Sequence, residues 1–155
     1  MKKSLAVLIV ASFLLASCSM LKYVGLGGDQ QKPEEKVIEI VDFGLYENGV
    51  LATQTTSVPK ELGQTFGFRF KILKPEGGQV QATIITSSPG MINPEKNEVE
   101  FKSETSDTLD VGKEYHCTYT FEKEWEMVSG DWTLEVRTAD GASASKVFQV
   151  YNPKM

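Results

Sequence analysis

Residues 65–73, Thr-Phe-Gly-Phe-Arg-Phe-Lys-Ile-Leu, show the clearest alternation of apolar and polar side chains in the chain. Phe66, Phe68 and Phe70 occupy every second position, and small or charged residues stand between them. Successive side chains of a β-strand point to opposite faces of the sheet. The alternation therefore predicts a strand that is buried on one face and exposed on the other.

The same alternation extends over most of the chain on both sides of this stretch. Strands are predicted at residues 37–46, 51–57, 65–73, 79–87, 98–104, 114–122, 131–139 and 143–151. Residues 122–128 have room for one helical turn at most, and no long helix is predicted elsewhere in the domain. The pattern predicts an all-β fold, an immunoglobulin-like or fibronectin-like antiparallel β-sandwich of seven or eight strands, with a small β-barrel as the alternative.

The alternation also predicts the direction of individual side chains. Trp132 faces the core in one strand, and Val99 and Phe101 face it in another. Leu109 precedes Tyr115 by six residues at the start of a strand. That spacing is similar to the tyrosine corner of fibronectin-type and immunoglobulin-like domains.

Residues 1–18 have the layout of a leader for export. Lys2 and Lys3 precede a short apolar run, and Leu15-Ala-Ser-Cys18 follows it. This motif resembles the lipobox of bacterial lipoproteins, which implies cleavage after residue 17 and attachment of lipid to Cys18. The alternatives are an ordinary secretory signal with a chance cysteine, or an uncleaved membrane helix. The apolar run is short for a bilayer core of about 30 Å.

Cleavage would leave a lipidated Cys18 with a flexible tether over residues 18–36 and a sandwich domain over residues 37–153. Of 16 Lys and Arg residues, two would leave with the signal, so that 14 face 21 Asp and Glu and the net charge becomes -7. An acidic domain argues against nucleic acid as a partner, because phosphate binding depends on Lys and Arg. Membrane attachment is therefore expected through the covalent lipid. Ser19 after the cysteine favours the outer membrane where a cell envelope has two membranes.

The sequence offers few residues for catalysis or metal binding. His116 is the one histidine, and it is next to Cys117 in a predicted strand, where neighbouring side chains point to opposite faces. A zinc site needs three or four such ligands, and no calcium-loop spacing or nucleophile-elbow motif is present. We expect Cys117 to be a small buried residue, with a reactive thiol or an intermolecular bridge as the alternative. No catalytic residue, metal or cofactor is predicted.

Three apolar residues are the candidates for an interaction surface. Trp125 stands among charged residues between two strands, where tryptophan serves as an interface anchor or as a lid on the core. Residues 88–97 contain two prolines and are predicted to form a long loop, with Met91 and Ile92 exposed at its tip.

Four segments together resemble an uncharacterised bacterial family, a domain of unknown function found in small exported proteins. They are Gly44-Leu-Tyr46, Val58-Pro-Lys-Glu-Leu-Gly-Gln-Thr-Phe-Gly-Phe-Arg69, Asn93-Pro-Glu95 and residues 119–133, Tyr-Thr-Phe-Glu-Lys-Glu-Trp-Glu-Met-Val-Ser-Gly-Asp-Trp-Thr. The resemblance covers residues 37–150 and implies a sandwich-like fold, without an activity or a ligand.

Two hypotheses about function follow from the sequence. In the first, the chain is an envelope lipoprotein whose domain binds another envelope protein or a glycan. In the second, it is a structural, accessory or inhibitory envelope protein without a small ligand. An exposed apolar patch near Trp125 or Met91 would favour the first, and a uniformly charged surface would favour the second.

Overall fold

The computed structural model describes residues 37–153, so the predicted signal peptide, Cys18 and the tether lie outside the described residues. Nine strands and one short 3-10 helix, Glu124–Glu126, make up the described part. The strands are β1 Ile38–Glu47, β2 Val50–Thr53, β3 Ser57–Pro59, β4 Thr65–Ile72, β5 Gln79–Asn93, β6 Glu98–Asp110, β7 Glu114–Thr120, β8 Gly130–Thr138 and β9 Ser143–Tyr151. The all-β prediction is confirmed, as is the single helical turn within residues 122–128.

The strands form two sheets that pack as a sandwich. One sheet has four strands in the order β2-β1-β4-β7, and the other has five in the order β3-β9-β8-β5-β6. All neighbouring strands are antiparallel except β3 and β9, which are parallel. Two separate sheets confirm the sandwich and rule out the small closed barrel for residues 37–153.

The core lies between β4 of one sheet and β8 and β9 of the other. Phe66, Phe68 and Phe70 are completely buried, as the alternation in β4 predicts. Trp132 of β8 is also completely buried, and its ring meets that of Phe66 edge to face at 5.8 Å. Phe148 of β9 packs on Phe66 at 5.4 Å, so aromatic rings from both sheets join the two halves of the sandwich.

The tyrosine corner is present at the start of β7. Leu109 is buried, and the hydroxyl of Tyr115 accepts a hydrogen bond of 2.8 Å from the backbone N–H of Asp110. This bond ties the start of β7 back to the end of β6, which is the local role of such a corner.

A short edge strand is predicted at residues 51–57, and the prediction of a single strand is wrong, because two short edge strands in different sheets take its place. β2 pairs with β1, whereas Val58 of β3 pairs with Val150 of β9 in the other sheet. Val58 is completely buried, so the chain crosses between the sheets to bring this side chain into the core. Pro59 ends β3 at the edge of its sheet, where a missing N–H costs no ladder bond.

The long loop predicted at residues 88–97 is also wrong, because β5 continues as a strand to Asn93. The register shifts between Ser87, which pairs with Lys102, and Met91, which pairs with Glu100. Three residues of β5 therefore lie opposite one residue of β6, so β5 holds two extra residues at this point. A proline is tolerated in such an irregularity, which explains how Pro89 stands within a strand. The hairpin closes in a tight turn in which Asn97 has a φ of 54°.

Candidate functional site

Cys117 and His116 lie on opposite faces of β7, as their positions in the strand predict. Cys117 is completely buried in the core, which confirms its role as a small buried residue, and His116 is exposed. Burial raises the pKa of the Cys117 thiol to about 12. The thiol is therefore protonated at neutral pH, and its position gives it no access to a substrate.

A polar network covers part of the outer face of the four-stranded sheet. Arg69 of β4 donates from Nε to both carboxylate oxygens of Asp42 at 3.0 Å and from Nη1 to Glu114 at 3.2 Å. Tyr46 donates its hydroxyl to Asp42 at 2.7 Å. The register shift in β1 between Ile40 and Asp42 places this carboxylate opposite Arg69. The network therefore joins β1, β4 and β7.

The electrostatics of this network favour a structural role. Hydrogen bonding to Arg69 lowers the pKa of Asp42, and burial together with the hydrogen bond to Asp42 raises the pKa of Tyr46. Asp42 is thus an anion already occupied by two donors, and Tyr46 is a neutral phenol, so neither is poised to exchange protons with a substrate. Local periodicity does not reveal the pairing of Arg69 with Asp42, because the two residues are 27 positions apart in the chain.

No group of three or more His, Cys, Asp or Glu side chains within residues 37–153 is arranged to hold a metal ion. In the same part of the chain, no helix reaches the length and apolar character needed to cross a bilayer.

Trp125 packs against the core from the short 3-10 helix. It is half-buried, as are Met127 and Val128 beside it. The carboxylate of Glu126 accepts hydrogen bonds from the backbone N–H groups of Glu122 and Lys123, at 2.7 and 3.1 Å, and this holds the turn in place. Trp125 therefore covers one side of the core and keeps part of its surface exposed.

Met91 and Ile92 differ in their exposure to solvent. The expectation that both are exposed is wrong for Met91, which is 4% exposed, belongs to the core and has its sulfur 3.5 Å from the hydroxyl of Tyr119. Ile92 is 64% exposed, as expected. The two side chains point to opposite faces because they are neighbours in β5 rather than residues of a flexible loop.

An exposed apolar cluster, which we call the hairpin patch, consists of Ile92, Val99 and Phe101. Ile92 and Val99 are directly opposite each other in β5 and β6, and Phe101 follows Val99 on the same face. The exposed fractions of Val99 and Phe101 are 50% and 58%. A Cβ atom on Gly90 would lie 2.8 Å from the Phe101 ring and 3.2 Å from Val99, so these two side chains occupy the space that a larger residue at position 90 would need.

The prediction that Val99 and Phe101 face the core is wrong. β6 is the outermost strand of its sheet, and every residue from Phe101 to Thr108 is exposed, including those on both faces. The opposite sheet therefore does not cover residues 101–108 of β6, although Leu109 at the end of the strand is buried. The alternation was real, but the face it marks is open to solvent.

Comparison with known proteins places this architecture in a family. Residues 24–150 match the family described as a domain of unknown function, DUF3859. An immunoglobulin-like protein from Pseudomonas aeruginosa is 31% identical, with a TM-score of 0.64 over 74% of this chain and 96% of that chain. A β-glucosidase from Listeria innocua is 11% identical, with a TM-score of 0.36 over 70% of this chain and 16% of the enzyme. We infer nothing about this chain from that similarity.

None of the curated proteins compared with the chain matches it. The family match begins at residue 24, within the segment expected to be a tether, and includes the whole sandwich as far as Val150. The chain belongs to the family described as Domain of unknown function (DUF3859).

Proposed function

We propose that the protein is a bacterial envelope lipoprotein, anchored through Cys18, whose sandwich domain binds another envelope protein through the hairpin patch. The observation that carries the binding role is the exposure of Ile92, Val99 and Phe101 as one cluster. Exposed apolar residues in contact with one another are typical of protein interaction sites, whereas scattered ones are ordinary. An accessory protein without a binding role has no need of such a cluster.

Support for the anchor comes from the sequence. Leu15-Ala-Ser-Cys18 follows a basic start and a short apolar run, and the acidic charge of the domain gives no electrostatic means of adhesion to anionic lipid. Each buried methylene of an acyl chain contributes about 0.8 kcal/mol, and two or more chains hold a protein stably at a membrane. The proposed role is non-catalytic and requires no cofactor.

The anchor is tested by replacing the cysteine. Cells that produce the full chain and are fed a clickable fatty acid should label the wild type, and Cys18→Ala should remain unlabelled and move from the membrane fraction to the soluble fraction. The matched control is Cys117→Ala, which removes the other cysteine and should keep full labelling. Equal labelling of wild type and Cys18→Ala would contradict the anchor.

The binding role is tested by photo-crosslinking in intact envelopes. A photoreactive amino acid at Ile92 of the full chain should form adducts with a distinct protein, identified by mass spectrometry. The same amino acid at Leu62, which is 59% exposed in a turn far from β6 in sequence, is the matched control and should form few adducts. Combining the probe at Ile92 with Phe101→Ser should lower the yield several-fold.

Two results would count against the hairpin patch. One is an equal pattern of adducts at Ile92 and Leu62, which indicates random collision. The other is a yield at Ile92 that Phe101→Ser leaves unchanged.

A further inference from the structure

The outer edge of β6 is a long open strand edge. β6 has thirteen residues and ends the five-stranded sheet. From Lys102 to Asp110 it pairs with β5 in unbroken register, without a proline, a glycine or an irregularity. Natural proteins blunt such edges by shortening, bending or covering the strand or by placing charges on it, and of these β6 has charged side chains alone. The opposite edge, β3, is blunted in this way, since it has three residues and ends in Pro59.

Along β6, the backbone N–H and C=O groups that point away from β5, toward the open edge, belong to even-numbered residues. Val111 donates its N–H to the carbonyl of Gly78 at 2.9 Å, so odd-numbered positions at this end point toward β5. Thr108 donates its N–H to the carboxylate of Asp107 at 2.7 Å rather than to β5. Because backbone groups alternate in direction along a strand, Lys102, Glu104 and Ser106 also present their N–H and C=O groups at the edge.

There is space beneath the edge for another strand. The side chains of Ser103, Thr105 and Asp107 share a face with Thr86, Ile84 and Ala82, the β5 residues directly opposite them. Ala82 and Thr86 are buried, whereas the three β6 residues are exposed. The four-stranded sheet therefore ends beneath β5, and a strand added beyond β6 would meet no obstruction from it.

The charges along β6 are complementary to those of a second copy of β6 that runs antiparallel to it. Lys102 and Glu104 form an ion pair on one face, and each side chain is 51% exposed. When two copies of β6 run antiparallel about a twofold axis at Ser103, Lys102 of each copy lies opposite Glu104 of the other. The four charges then alternate in sign around a square. Glu100 lies opposite Ser106 in the same register, so no like charges face each other.

Neighbouring registers lack this complementarity. An axis at Lys102 would place lysine against lysine and Glu100 against Glu104, and an axis at Glu104 would place that carboxylate against itself. An axis at Phe101 would oppose Glu98 and Glu104. Like charges directly opposite each other destabilise a strand pair.

We infer that two copies of this chain pair through their β6 edges about a twofold axis at Ser103, so that the two five-stranded sheets become one continuous sheet. Such an interface is isologous, with the same residues contributed by each copy. The inference goes beyond the proposed function, since it rests on the backbone edge of β6 and requires no lipid anchor. In this register Phe101 of the hairpin patch lies opposite Thr105 of the second copy, whereas Ile92 lies on β5, one strand away from the edge.

Charge exchange tests the register. Sedimentation of the full chain in detergent should show a dimer, and Lys102→Glu and Glu104→Lys should each weaken it about tenfold or more, because each places like charges across the axis. Mixing these two variants should restore a heterodimer, since each glutamate then faces a lysine. Lys60→Glu, beside β3 at the opposite edge of the same sheet, is the control and should leave the dimer unchanged.

A disulfide at the axis tests the geometry independently. The Cα atoms of directly opposite residues on antiparallel strands are about 4.5–5.5 Å apart, and this distance is within the Cα–Cα range of disulfides. Ser103→Cys should therefore form a covalent dimer on mild oxidation, and Thr105→Cys, which would face Phe101 of the second copy, should not. Unchanged melting curves for the variants separate loss of pairing from loss of fold.

Any of the following results would overturn the inference: a monomeric wild type, a dimer that is indifferent to both charge variants, or equal disulfide formation at positions 103 and 105. A β6 edge that captures only a different protein would overturn it too. Adducts formed by the photoreactive probe at Ile92 with other proteins bear on the proposed function alone, so the two ideas can fail separately.

Discussion

Replacing Trp132 by alanine is expected to remove a large part of the domain's free energy of unfolding. The side chain is completely buried, and its ring packs on those of Tyr119 at 5.0 Å and Phe121 at 5.5 Å as well as on Phe66. Truncation of a buried tryptophan costs about 3–5 kcal/mol, whereas a domain of this size is stable by about 5–15 kcal/mol.

The variant also removes a partly buried hydrogen bond. Nε1 of Trp132 donates to the carbonyl of Val128 at 2.9 Å, and without it this carbonyl loses its partner beside the core. The bond fixes residues 124–128, which hold Trp125 against the core, so the loss should spread to that segment. Urea denaturation, followed by circular dichroism, measures the free energy of unfolding.

An exposed aromatic residue provides the matched control. Phe101 is 58% exposed in β6, and Phe101→Ala should stay within about 1 kcal/mol of the wild type. Phe68→Ala, in the middle of the buried face of β4, should resemble Trp132→Ala. If the exposed and buried positions prove equally costly, the assignment of the two faces is incorrect.

These positions also show what alternation can predict. In β4, β8 and β9 the apolar face is covered by the opposite sheet, so a period of two in the sequence leads directly to a buried face. The same pattern in Val99 and Phe101 predicted the wrong environment, because burial depends on where a strand lies in its sheet. Strand order is set by pairing between distant segments, which local periodicity does not encode.

Which residues of the candidate surfaces are exposed also depends on pairing between segments that are distant in the sequence. The exposure of Ile92 was predicted, although from a loop where the structure has a strand. The burial of Met91 was not predicted, because its side chain is turned into the core after the register shift at Ser87. The pairing of Arg69 with Asp42 required the β1–β4 register. Tyr115 is the opposite case, since its partner is five residues away and the local motif was sufficient.

Replacing Gly67 by alanine should be as damaging as losing Trp132, although the change adds only a methyl group. Gly67 stands between Phe66 and Phe68 in β4, with a φ of 150°, a conformation that residues with a Cβ rarely adopt. An added Cβ would lie 2.2 Å from the carbonyl oxygen of Cys117 and 2.7 Å from Cα of Thr118, both in the backbone of β7.

These neighbours cannot move aside in the way that a flexible side chain can. Gly67 is paired directly with Thr118, so relief of the clash would separate β4 from β7 and break the ladder on both sides. We expect a loss of about 4 kcal/mol or more in the free energy of unfolding, at the upper end of the range for single substitutions. Urea denaturation of the purified variant, or its failure to accumulate as soluble protein, is the measurement.

Gly63→Ala is the control that distinguishes the cost of the steric clash from the cost of the backbone conformation. Its φ is 84°, and no heavy atom lies within 4 Å of the position that a Cβ would occupy. Gly63→Ala therefore carries only the conformational cost, about 1–3 kcal/mol, and should fold. The difference between the two variants measures how tightly β4 and β7 are packed at Cys117. If Gly67→Ala is no more destabilising than Gly63→Ala, the close approach of the two strands is incorrect, and the β4–β7 pairing would need to be revised.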